Sequence, residues 1–290
     1  MWPNATADSA MKQHEIVLDL SRRRVMTIVN VTPDSFFAGS RTPDWLAIER
    51  RVRDAVACGA SIIDVGGYSS RPGADEVPPD EEWRRVDLGI GAVRALSPDL
   101  PVSVDTFRSS VAARAIRKYG KVIINDISAG ELDPLLIDVA AKYDVPYVAM
   151  HMRGTPETMQ SLTGYRDVAA EVADYFRERT ALLRERGVRR IIIDPGFGFA
   201  KTLEQNYELL HGLHRLCELG YPVLAGLSRK SMIYKLLNTT PDKALNGTTA
   251  LHWECLRQGA AILRVHDTRE AVEVVRLFEQ FTQAGWNGKQ

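Results

Sequence analysis

The chain has 290 residues, of which 45% are hydrophobic and 26% charged, so it holds enough apolar material for one large core. Lys+Arg and Asp+Glu balance at 37 each, and this balance does not favour a nucleic acid or an anionic membrane as partner. No run reaches the roughly 18 apolar residues of a membrane span. Three scattered cysteines and a beginning without a secretory signal predict a cytoplasmic protein.

Eight short apolar runs recur along the chain, each followed by polar residues. They are VMTIVNV from Val25, SIIDVGG from Ser61, PVSVDT from Pro101, VIINDIS from Val122, PYVAMHM from Pro146, IIIDPG from Ile191, PVLAGLS from Pro222 and AILRVHD from Ala261. Such runs are typical of buried parallel strands, and crossover helices fit between them. The pattern predicts an α/β protein with a single (β/α)8 TIM barrel over residues 14–290, preceded by a flexible tail at 1–13.

The connections between the runs carry two further predictions. The first helix is expected to begin near Asp44, and the segment His14–Leu20 alternates enough to predict a short leading strand. The connections after the first and second runs are long for a compact domain. Loops of that kind are usually functional, so both are expected to be mobile and to close over the barrel mouth.

Carboxylates end two of the runs. Asp105 has the opposite parity to its neighbouring valines, so it faces the barrel centre if the valines face the helices, and Asp194 ends IIID in the same way. A carboxylate inside a barrel is costly unless it meets donors. Lys230, Asn125 or a bound ligand could supply them, and a purely structural ion pair between Asp194 and Lys230 is the alternative.

Cationic and polar side chains follow other runs. Arg264 and His266 are two residues apart and point to one side of the last strand, and Ser70 and Arg71 lie in the loop after the second. A planar guanidinium, an imidazole and a hydroxyl at a barrel mouth suit a phosphate or diphosphate. Asn30 adds a neutral oxygen suited to Mg²⁺, which prefers oxygen ligands and keeps several waters.

Together these residues predict a pocket of two parts, because active sites of such barrels lie at the carboxyl ends of the strands. The deep part could bind the donor–acceptor edge of a planar heterocycle such as an aminopyrimidine, through Asp105, Asn125, Asp194 and Lys230. The outer part could hold an anionic leaving group, through Arg264, His266, Ser70 and Asn30. Parity does not decide between Asn125 and its neighbour Asp126.

The segment GFGFAKT weakly resembles a phosphate-binding loop, but Ala200 replaces a glycine and the spacing is short.

Several sequence blocks, in this order, are similar to those of one family. They are NVTPDSF (Asn30–Phe36), SSRPGA (Ser69–Ala74), VDT with the following helix, INDIS, MHMRGTPETMQ (Met150–Gln160), DPGFGF with KT, GLSRKS (Gly226–Ser231) and LRVHD. On these blocks the chain is identified as a member of the dihydropteroate synthase family of pterin-binding TIM barrels. The resemblance runs from about Val25 to near the C-terminus.

The resemblance implies a transferase of folate biosynthesis. The family condenses 6-hydroxymethyl-7,8-dihydropterin diphosphate with p-aminobenzoate to give 7,8-dihydropteroate and diphosphate. Diphosphate leaves first, a pterin methylene cation forms, and the amine attacks it. The resemblance also implies Mg²⁺ as cofactor, two small-molecule substrates, a homodimer formed through the late helices, and a target of sulfonamides.

Site residues carried over by the resemblance fall into groups. The pterin site would comprise Asp105, Asn125, Asp194 and Lys230, with Met150 and Phe199 beside it. The diphosphate would meet Ser70, Arg264 and His266, with Asn30 at the Mg²⁺. The p-aminobenzoate site would be bordered by Arg71, Lys230 and Ser231, with Phe36 on the first loop. Catalysis would fall to Asp105 and Asp194, which stabilise the cation, and to Lys230, Arg264 and His266.

Three positions depart from the family pattern. Ala38 stands where an Asp is usual, and Tyr68 and Ser70 stand where Glu and Thr are usual. Ser70 keeps the hydroxyl, but Ala38 removes a carboxylate that could pair with Arg71 when the loops close. We expect a nearby residue to compensate for this loss.

Two other functions are compatible with a pterin-binding barrel. A methyltetrahydrofolate:corrinoid methyltransferase would share the deep pocket but needs no diphosphate ligands, so the Ser70–Arg71, SRKS and RVHD blocks disfavour it. A non-catalytic barrel that binds a partner is disfavoured because the expected site positions other than the loop Asp are filled. A diphosphate-release assay separates both alternatives from the synthase.

Overall fold

The computed structural model describes residues 18–32, 45–69 and 76–285, which form a barrel of eight parallel strands. The strands are β1 (Arg24–Asn30), β2 (Ile62–Gly66), β3 (Val102–Asp105), β4 (Ile123–Asp126), β5 (Tyr147–Met150), β6 (Ile191–Asp194), β7 (Leu224–Ala225) and β8 (Ile262–Val265). Their order is β6-β5-β4-β3-β2-β1-β8-β7, and a parallel bridge between Ile193 and Val223 joins the two end strands. The predicted (β/α)8 barrel is confirmed.

Helices lie between consecutive strands and surround the barrel. They are α1 (Trp45–Ala57), α2 (Pro79–Leu96), α3 (Ser109–Tyr119), α4 (Leu135–Tyr143), α5 (Val168–Glu185), α6 (Leu203–His211), α7 (Leu213–Cys217), α8 (Ser231–Tyr234), α9 (Leu245–Arg257) and α10 (Thr268–Gln283). Short 3₁₀ turns occur at Met159–Ser161 and Pro241–Lys243. Helix α6 begins with a capping box, in which Thr202 and Gln205 bond each other's backbone N–H groups.

The barrel interior is closed from below by large apolar side chains. Alternate strand residues point inwards, and the lowest layer is fully buried: Met26, Ile62, Ile123, Val148, Ile192, Leu224 and Ile262. Leu18 and Leu20 pack against this layer from outside the strands. Residues 18–20 form no strand, so this part of the predicted leading strand is wrong, because Leu18 and Leu20 seal the barrel floor instead of pairing with a strand edge.

Other predictions fall outside the described residues. The two connections expected to be mobile cover residues 33–44 and 70–75 for the most part, and the tail at 1–13, His14 and the helix start near Asp44 are also outside. Across the part of the chain that the structure describes, no helix is both long and apolar enough to span a membrane.

Candidate active site

Polar side chains converge inside the barrel, above the apolar floor. In the strand register, Asp105 stands opposite Gly66 on one side and Asn125 on the other. Asp64 lies one inward-facing position below Gly66 and two residues above Ile62 of the floor. The alternation that points Ile62 inwards therefore points Asp64 inwards as well.

Arg264 lies between two carboxylates. Its Nε donates to Asp64 Oδ2 at 2.7 Å, and its Nη2 donates to Asp105 Oδ2 at 2.6 Å. Asp64 is fully buried, and its Oδ1 has no hydrogen-bond partner among the described residues. The prediction placed Arg264 in the outer part of the pocket, whereas its guanidinium lies in the deep part, because the carboxylates of buried Asp64 and half-buried Asp105 attract it.

Asp64 is a site residue that the sequence analysis missed. A signal was present, since Asp64 has the parity of an inward-facing residue on the second strand. The run SIIDVGG ends three residues later, however, at Gly67, so Asp64 lies inside the run and not among the polar residues at its end, where the site was predicted.

Asp105 and Arg264 shift each other's pKa, and the Asp64 carboxylate acts on both. Burial raises the pKa of Asp105 to about 7, although the Arg264 guanidinium opposes this shift. Burial disfavours the charge on Arg264, but Asp64 and Asp105 outweigh it and raise the pKa of the guanidinium. Arg264 is therefore a permanent cation, while Asp105 is poised to change its charge near neutral pH.

The structure separates Asn125 from Asp126, which the sequence could not do. Asn125 Nδ2 donates to Asp64 Oδ2 at 3.2 Å, so the amide faces the barrel interior. Asp126 accepts from the backbone N–H groups of Ser128 and Gly130, at 2.8 and 2.6 Å, and from the Tyr147 hydroxyl at 2.5 Å. Asp126 thus shapes the loop after β4, and Asn125 belongs to the site.

A second charged pair stands on the opposite wall. Asp194 is buried, and its Oδ1 accepts from the Gly196 N–H at 2.8 Å. Lys230 donates to the Phe197 carbonyl rather than to a carboxylate, and its Nζ lies 4.7 Å from the centre of the Phe199 ring. The structural ion pair considered for Asp194 and Lys230 does not form in the described residues, where no contact within 4.0 Å joins them.

Asp194 and Lys230 still interact electrostatically. Burial raises the pKa of Asp194, while Lys230 and the Gly196 N–H act to lower it. Burial lowers the pKa of Lys230 to about 8, and Asp194 opposes that shift. Asp194 and Lys230 do not hydrogen-bond each other, so a ligand that lies between them can bond to both.

Space for a ligand is kept open by two glycines. A Cβ at Gly66 would lie 3.0 Å from Asn30 Oδ1, and one at Gly226 would lie 3.7 Å from Asp194 Oδ2 and 3.9 Å from Arg264 Cβ and Cδ. Side chains at these positions would fill the volume between the charged groups. Asn30, at the end of β1, therefore faces the same space as Asp105.

An apolar shelf borders this space. It consists of buried Ile127, Met150, Met152, Met159 and Ala200, with the half-buried rings of Phe107 and Phe199 packed against them. Met150 stands opposite Asp194 in the register of β5 and β6. The shelf suits the faces of a flat ring, and the charged groups suit its edge.

His266 lies at the outer end of β8. Its backbone N–H donates to Ser228 Oγ at 3.1 Å, so the Ser228 hydroxyl is free to donate to His266 Nδ1, also at 3.1 Å. Burial, together with Arg264, lowers the pKa of His266 to about 4. The ring is therefore neutral at pH 7 and carries no charge. In the tautomer in which Ser228 donates to Nδ1, the ring proton is on Nε2, where it can be offered to an anion.

The remaining predicted residues are placed only in part. Ser231 begins α8 directly after Lys230. Phe36, Ala38, Ser70 and Arg71 lie outside the described residues.

Tyr68, one of the departures from the family pattern, is described. It packs edge-on against Phe107, with ring centres 5.3 Å apart, and the Arg108 guanidinium lies 5.3 Å from the centre of its ring. Arg108 in turn pairs with buried Glu82. Tyr68 thus extends the aromatic rim of the shelf rather than adding a charge.

Comparison with known proteins gives a consistent result. A family model described as "Pterin binding enzyme" matches residues 26–266. Dihydropteroate synthase of Escherichia coli (strain K12) is 43% identical over 274 residues, which cover 93% of this chain and 95% of the relative.

Solved structures agree. Dihydropteroate synthase of Xanthomonas albilineans with 4-aminobenzoic acid has a TM-score of 0.83 at 42% identity, covering 91% of this chain and 94% of that one. The Yersinia pestis dihydropteroate synthase in a sulfonamide drug complex has a TM-score of 0.85 at 38% identity, covering 92% and 96%.

The chain therefore belongs to the pterin-binding enzyme family, which confirms the family identified from the sequence blocks. Within that family, the Escherichia coli, Xanthomonas albilineans and Yersinia pestis relatives to which it is similar are dihydropteroate synthases. The two alternative functions gain no support from these comparisons.

Proposed function

We infer that the chain catalyses the dihydropteroate synthase reaction of folate biosynthesis, in which 6-hydroxymethyl-7,8-dihydropterin diphosphate and p-aminobenzoate give 7,8-dihydropteroate and diphosphate. One observation carries this inference: buried Asp64 and Asp194, half-buried Asp105, an arginine, a lysine and an amide meet inside the barrel towards the carboxyl ends of the strands, beside an apolar shelf. The 43% identity to a dihydropteroate synthase supports it.

The pterin would lie deep in the barrel. Its aminopyrimidine edge offers N–H donors to Asp105 and Asp194 and both donors and acceptors to Asn125, while Lys230 donates to a ring acceptor. Met150 and Phe199 would contact its faces. The deep groups hold three acids, Asp64, Asp105 and Asp194, against two cations, and this excess of acceptors suits a ring edge rich in N–H groups.

Pterin affinity should fall as the pH drops below 7. Because the pKa of Asp105 is raised to about 7, this carboxylate becomes protonated below pH 7 and no longer accepts both N–H groups of the pterin. The pKa of Asp194 is also raised, so its protonation adds to the loss of affinity. The fall should approach about tenfold per pH unit. Calorimetry from about pH 5.5 to 7.5 tests this; an affinity that stays constant over the range would contradict the roles of both carboxylates.

The chemical step would be a charge separation. The bond between the pterin methylene carbon and the diphosphate oxygen breaks with both electrons on the oxygen, and the amine nitrogen then forms the new bond and loses a proton to water. Asp105 and Asp194 would stabilise the methylene cation from within a buried site, where their charges act strongly. An aromatic amine is neutral at pH 7, so no strong general base is needed.

The departing diphosphate would meet Ser70, His266 and Arg264. Neutral His266 would donate one hydrogen bond from Nε2, in the tautomer in which the Ser228 hydroxyl donates to Nδ1. Arg264 already uses Nε and Nη2 on Asp64 and Asp105, which leaves Nη1 for the anion. Arg264 would thus join the two parts of the pocket, touching the leaving group while it holds both carboxylates.

Mg²⁺ fits the donors present. The Asn30 amide oxygen faces the site. Among the described residues no group of three His, Cys, Asp or Glu side chains is arranged so that it could hold a metal ion, so a cation here would depend on the substrate's phosphate oxygens and on water for its other ligands. Bound there, Mg²⁺ would neutralise charge on the diphosphate.

The p-aminobenzoate would bind at the outer side of Lys230, where Ser231 begins α8, with Arg71 and Phe36 on the loops. A sulfonamide, which resembles p-aminobenzoate, would compete for the same place. Tyr68 and Phe107 would contribute to the aromatic wall near the second loop.

Turnover tests the proposed reaction. The purified chain with pterin diphosphate, p-aminobenzoate and Mg²⁺ should form dihydropteroate and diphosphate in equal amounts, and omission of either organic substrate should stop dihydropteroate formation. Methyl transfer to a corrinoid without diphosphate release would identify the methyltransferase instead, and pterin binding without either reaction would identify a non-catalytic barrel.

A cytoplasmic homodimer is the proposed assembly. Helix α10 exposes Leu277 and Phe281 at 64% and 43%, and Phe278 and Phe281 pack on Trp253 of α9 with ring centres 5.4 and 5.6 Å apart. This apolar face supports a dimer through the late helices.

A charge on this face should prevent dimer formation. In the Leu277→Glu variant, pairing would bury the carboxylate, so sedimentation should change from that of a dimer to that of a monomer at micromolar concentration. Leu182→Glu on α5, which exposes Leu182 at 38%, serves as the matched control and should stay dimeric. Unchanged sedimentation of the Leu277 variant would place the interface elsewhere.

A further inference from the structure

Lys201 is a buried lysine that the proposed mechanism leaves unused, and burial lowers the pKa of its ammonium to about 7. Its side chain is 4% exposed, and its Nζ contacts three acceptors: His151 Nδ1 at 3.1 Å, the Gly196 carbonyl at 3.0 Å and the Phe199 carbonyl at 3.0 Å. An ammonium has three N–H groups, so each has one partner and none is left for a phosphate. The weak likeness of GFGFAKT to a phosphate-binding loop therefore has no phosphate-binding counterpart in the structure.

The two carbonyls belong to the ends of one tight turn, Gly196–Phe199, which the Phe199 N–H closes on the Gly196 carbonyl at 3.1 Å. The same turn contacts the candidate site: the Gly196 N–H donates to Asp194, Phe197 accepts from Lys230, and the Phe199 ring lies beside the Lys230 ammonium. Lys201 thus binds the turn that orients Asp194 and Lys230, on the side of the turn that faces away from the site.

His151 provides a rigid support for Lys201. It is 2% exposed, its backbone N–H donates to the Asp194 carbonyl at 2.9 Å, and its ring packs edge-on against Tyr175 at 4.8 Å. Burial and the neighbouring Lys201 lower the pKa of His151 well below its usual value. The imidazole is therefore neutral, with Nδ1 as the acceptor and the proton on Nε2.

The turn passes so close to His151 that glycine is required. Gly196 has φ +68°, and a Cβ there would lie 2.1 Å from the His151 carbonyl oxygen. This close approach fixes the turn against the end of β5, and Lys201 adds the hydrogen bonds that keep both ends of the turn in place.

Lys201 also changes the charge balance. It acts to lower the pKa of Asp194, together with Lys230 and Arg264. The deep site holds Asp64, Asp105 and Asp194 against Arg264 and Lys230. Because the pKa of Lys201 is about 7, Lys201 adds a third positive charge below that pH, behind Asp194 and out of reach of a ligand.

We propose that Lys201 is a positioning residue for the pterin site, which acts through the Gly196–Phe199 turn and through its charge beside Asp194, with His151 as its fixed acceptor. This inference rests on the proposed function, because it assigns the purpose of the turn to pterin binding.

Three variants test the proposal through pterin affinity, measured by calorimetry with a dihydropterin at several pH values. Lys201→Met keeps the length of the side chain but removes the charge, and it should bind pterin about tenfold more weakly or worse. Its affinity should also start to fall at a higher pH than in the unaltered chain, because Asp194 loses a nearby cation. The charged groups that act on Lys201 itself are Asp194, Lys230 and Arg153, and these stay in place in the variant.

Two variants of His151 separate positioning from packing. His151→Asn keeps an acceptor near the place of Nδ1 but loses the ring, whereas His151→Phe keeps the ring on Tyr175 but loses the acceptor. If His151 positions Lys201, the Phe variant binds pterin about tenfold more weakly than the Asn variant. If it serves packing alone, the Asn variant is the weaker binder, and this result overturns the proposal.

Two further outcomes bear on the positioning role of Lys201. A folded Lys201→Met variant with unchanged affinity and pH profile overturns the proposal, and if that variant does not fold, the His151 pair gives the answer. Wild-type turnover is measured separately: if the unaltered chain binds pterin but forms no dihydropteroate, the proposed function fails, while the comparison of variants still tests the positioning role.

Discussion

The Asp194→Asn variant should lose measurable pterin binding. The amide keeps the shape of the carboxylate but presents an N–H where the pterin edge also has one. A charge-assisted hydrogen bond is therefore lost, and two N–H donors face each other instead. Asp194 is buried and interacts with Lys230, so the loss should reach about 3–5 kcal/mol, or roughly 150- to 5,000-fold in affinity.

Calorimetry with a pterin measures this loss, and thermal unfolding shows whether the variant is folded. Asp174→Asn on the exposed face of α5 is a matched control that changes the same side chain outside the site, and its affinity should equal that of the unaltered chain. Near-normal pterin affinity in Asp194→Asn would remove Asp194 from the site.

The Asp64→Asn variant should lower kcat/KM for the pterin diphosphate by about 10- to 100-fold, although Asp64 need not touch the substrate. Asp64 holds the Nε side of Arg264 and accepts from Asn125, so the change loosens two groups of the pterin site at once. Removing one carboxylate of a buried group of charges also weakens the fold, and the melting temperature should fall.

Steady-state kinetics and a melting curve measure both effects. Ser103→Ala is the matched control, since Ser103 faces the same interior beside Asp64 and its Oγ has no hydrogen-bond partner in the described parts of the chain. Asp64→Asn kinetics that match those of the control would show that Asp105 alone positions Arg264.

The barrel and the location of its site could be predicted from the sequence because both depend on local patterns. Eight runs of β-branched residues with polar ends are enough to indicate parallel strands, and parallel strands bring their carboxyl ends together. Even β7, which has only two residues, Leu224–Ala225, occupies its expected place between neighbours.

The hydrogen-bond partners inside the barrel could not be predicted. Asn125 and Asp126 are adjacent on one strand, and the choice between them depends on Tyr147 and on the loop after β4, which attract Asp126 away from the site. The depth of Arg264 likewise depends on Asp64, which is 200 residues away in sequence. The alternation of side chains along a strand predicts which face of the strand a residue occupies, but not which side chains from different strands hydrogen-bond inside the barrel.

The state of ionisation was also beyond the sequence. The sequence predicted that the His266 imidazole meets an anion but not its charge, and burial together with Arg264 keeps the ring neutral. Lys201 resembled part of a weak phosphate-binding motif until the three acceptors around its ammonium were known. Both outcomes follow from neighbours that only the fold brings together.

A crystal structure of the chain with a bound dihydropterin tests the central claim most directly. The ring edge should lie within hydrogen-bond distance of Asp105, Asn125 and Asp194, with its faces against Met150 and Phe199 and the substituent at its exocyclic methylene pointing towards His266. A pterin bound at another place on the protein, or bound with its edge turned away from these carboxylates, would contradict it.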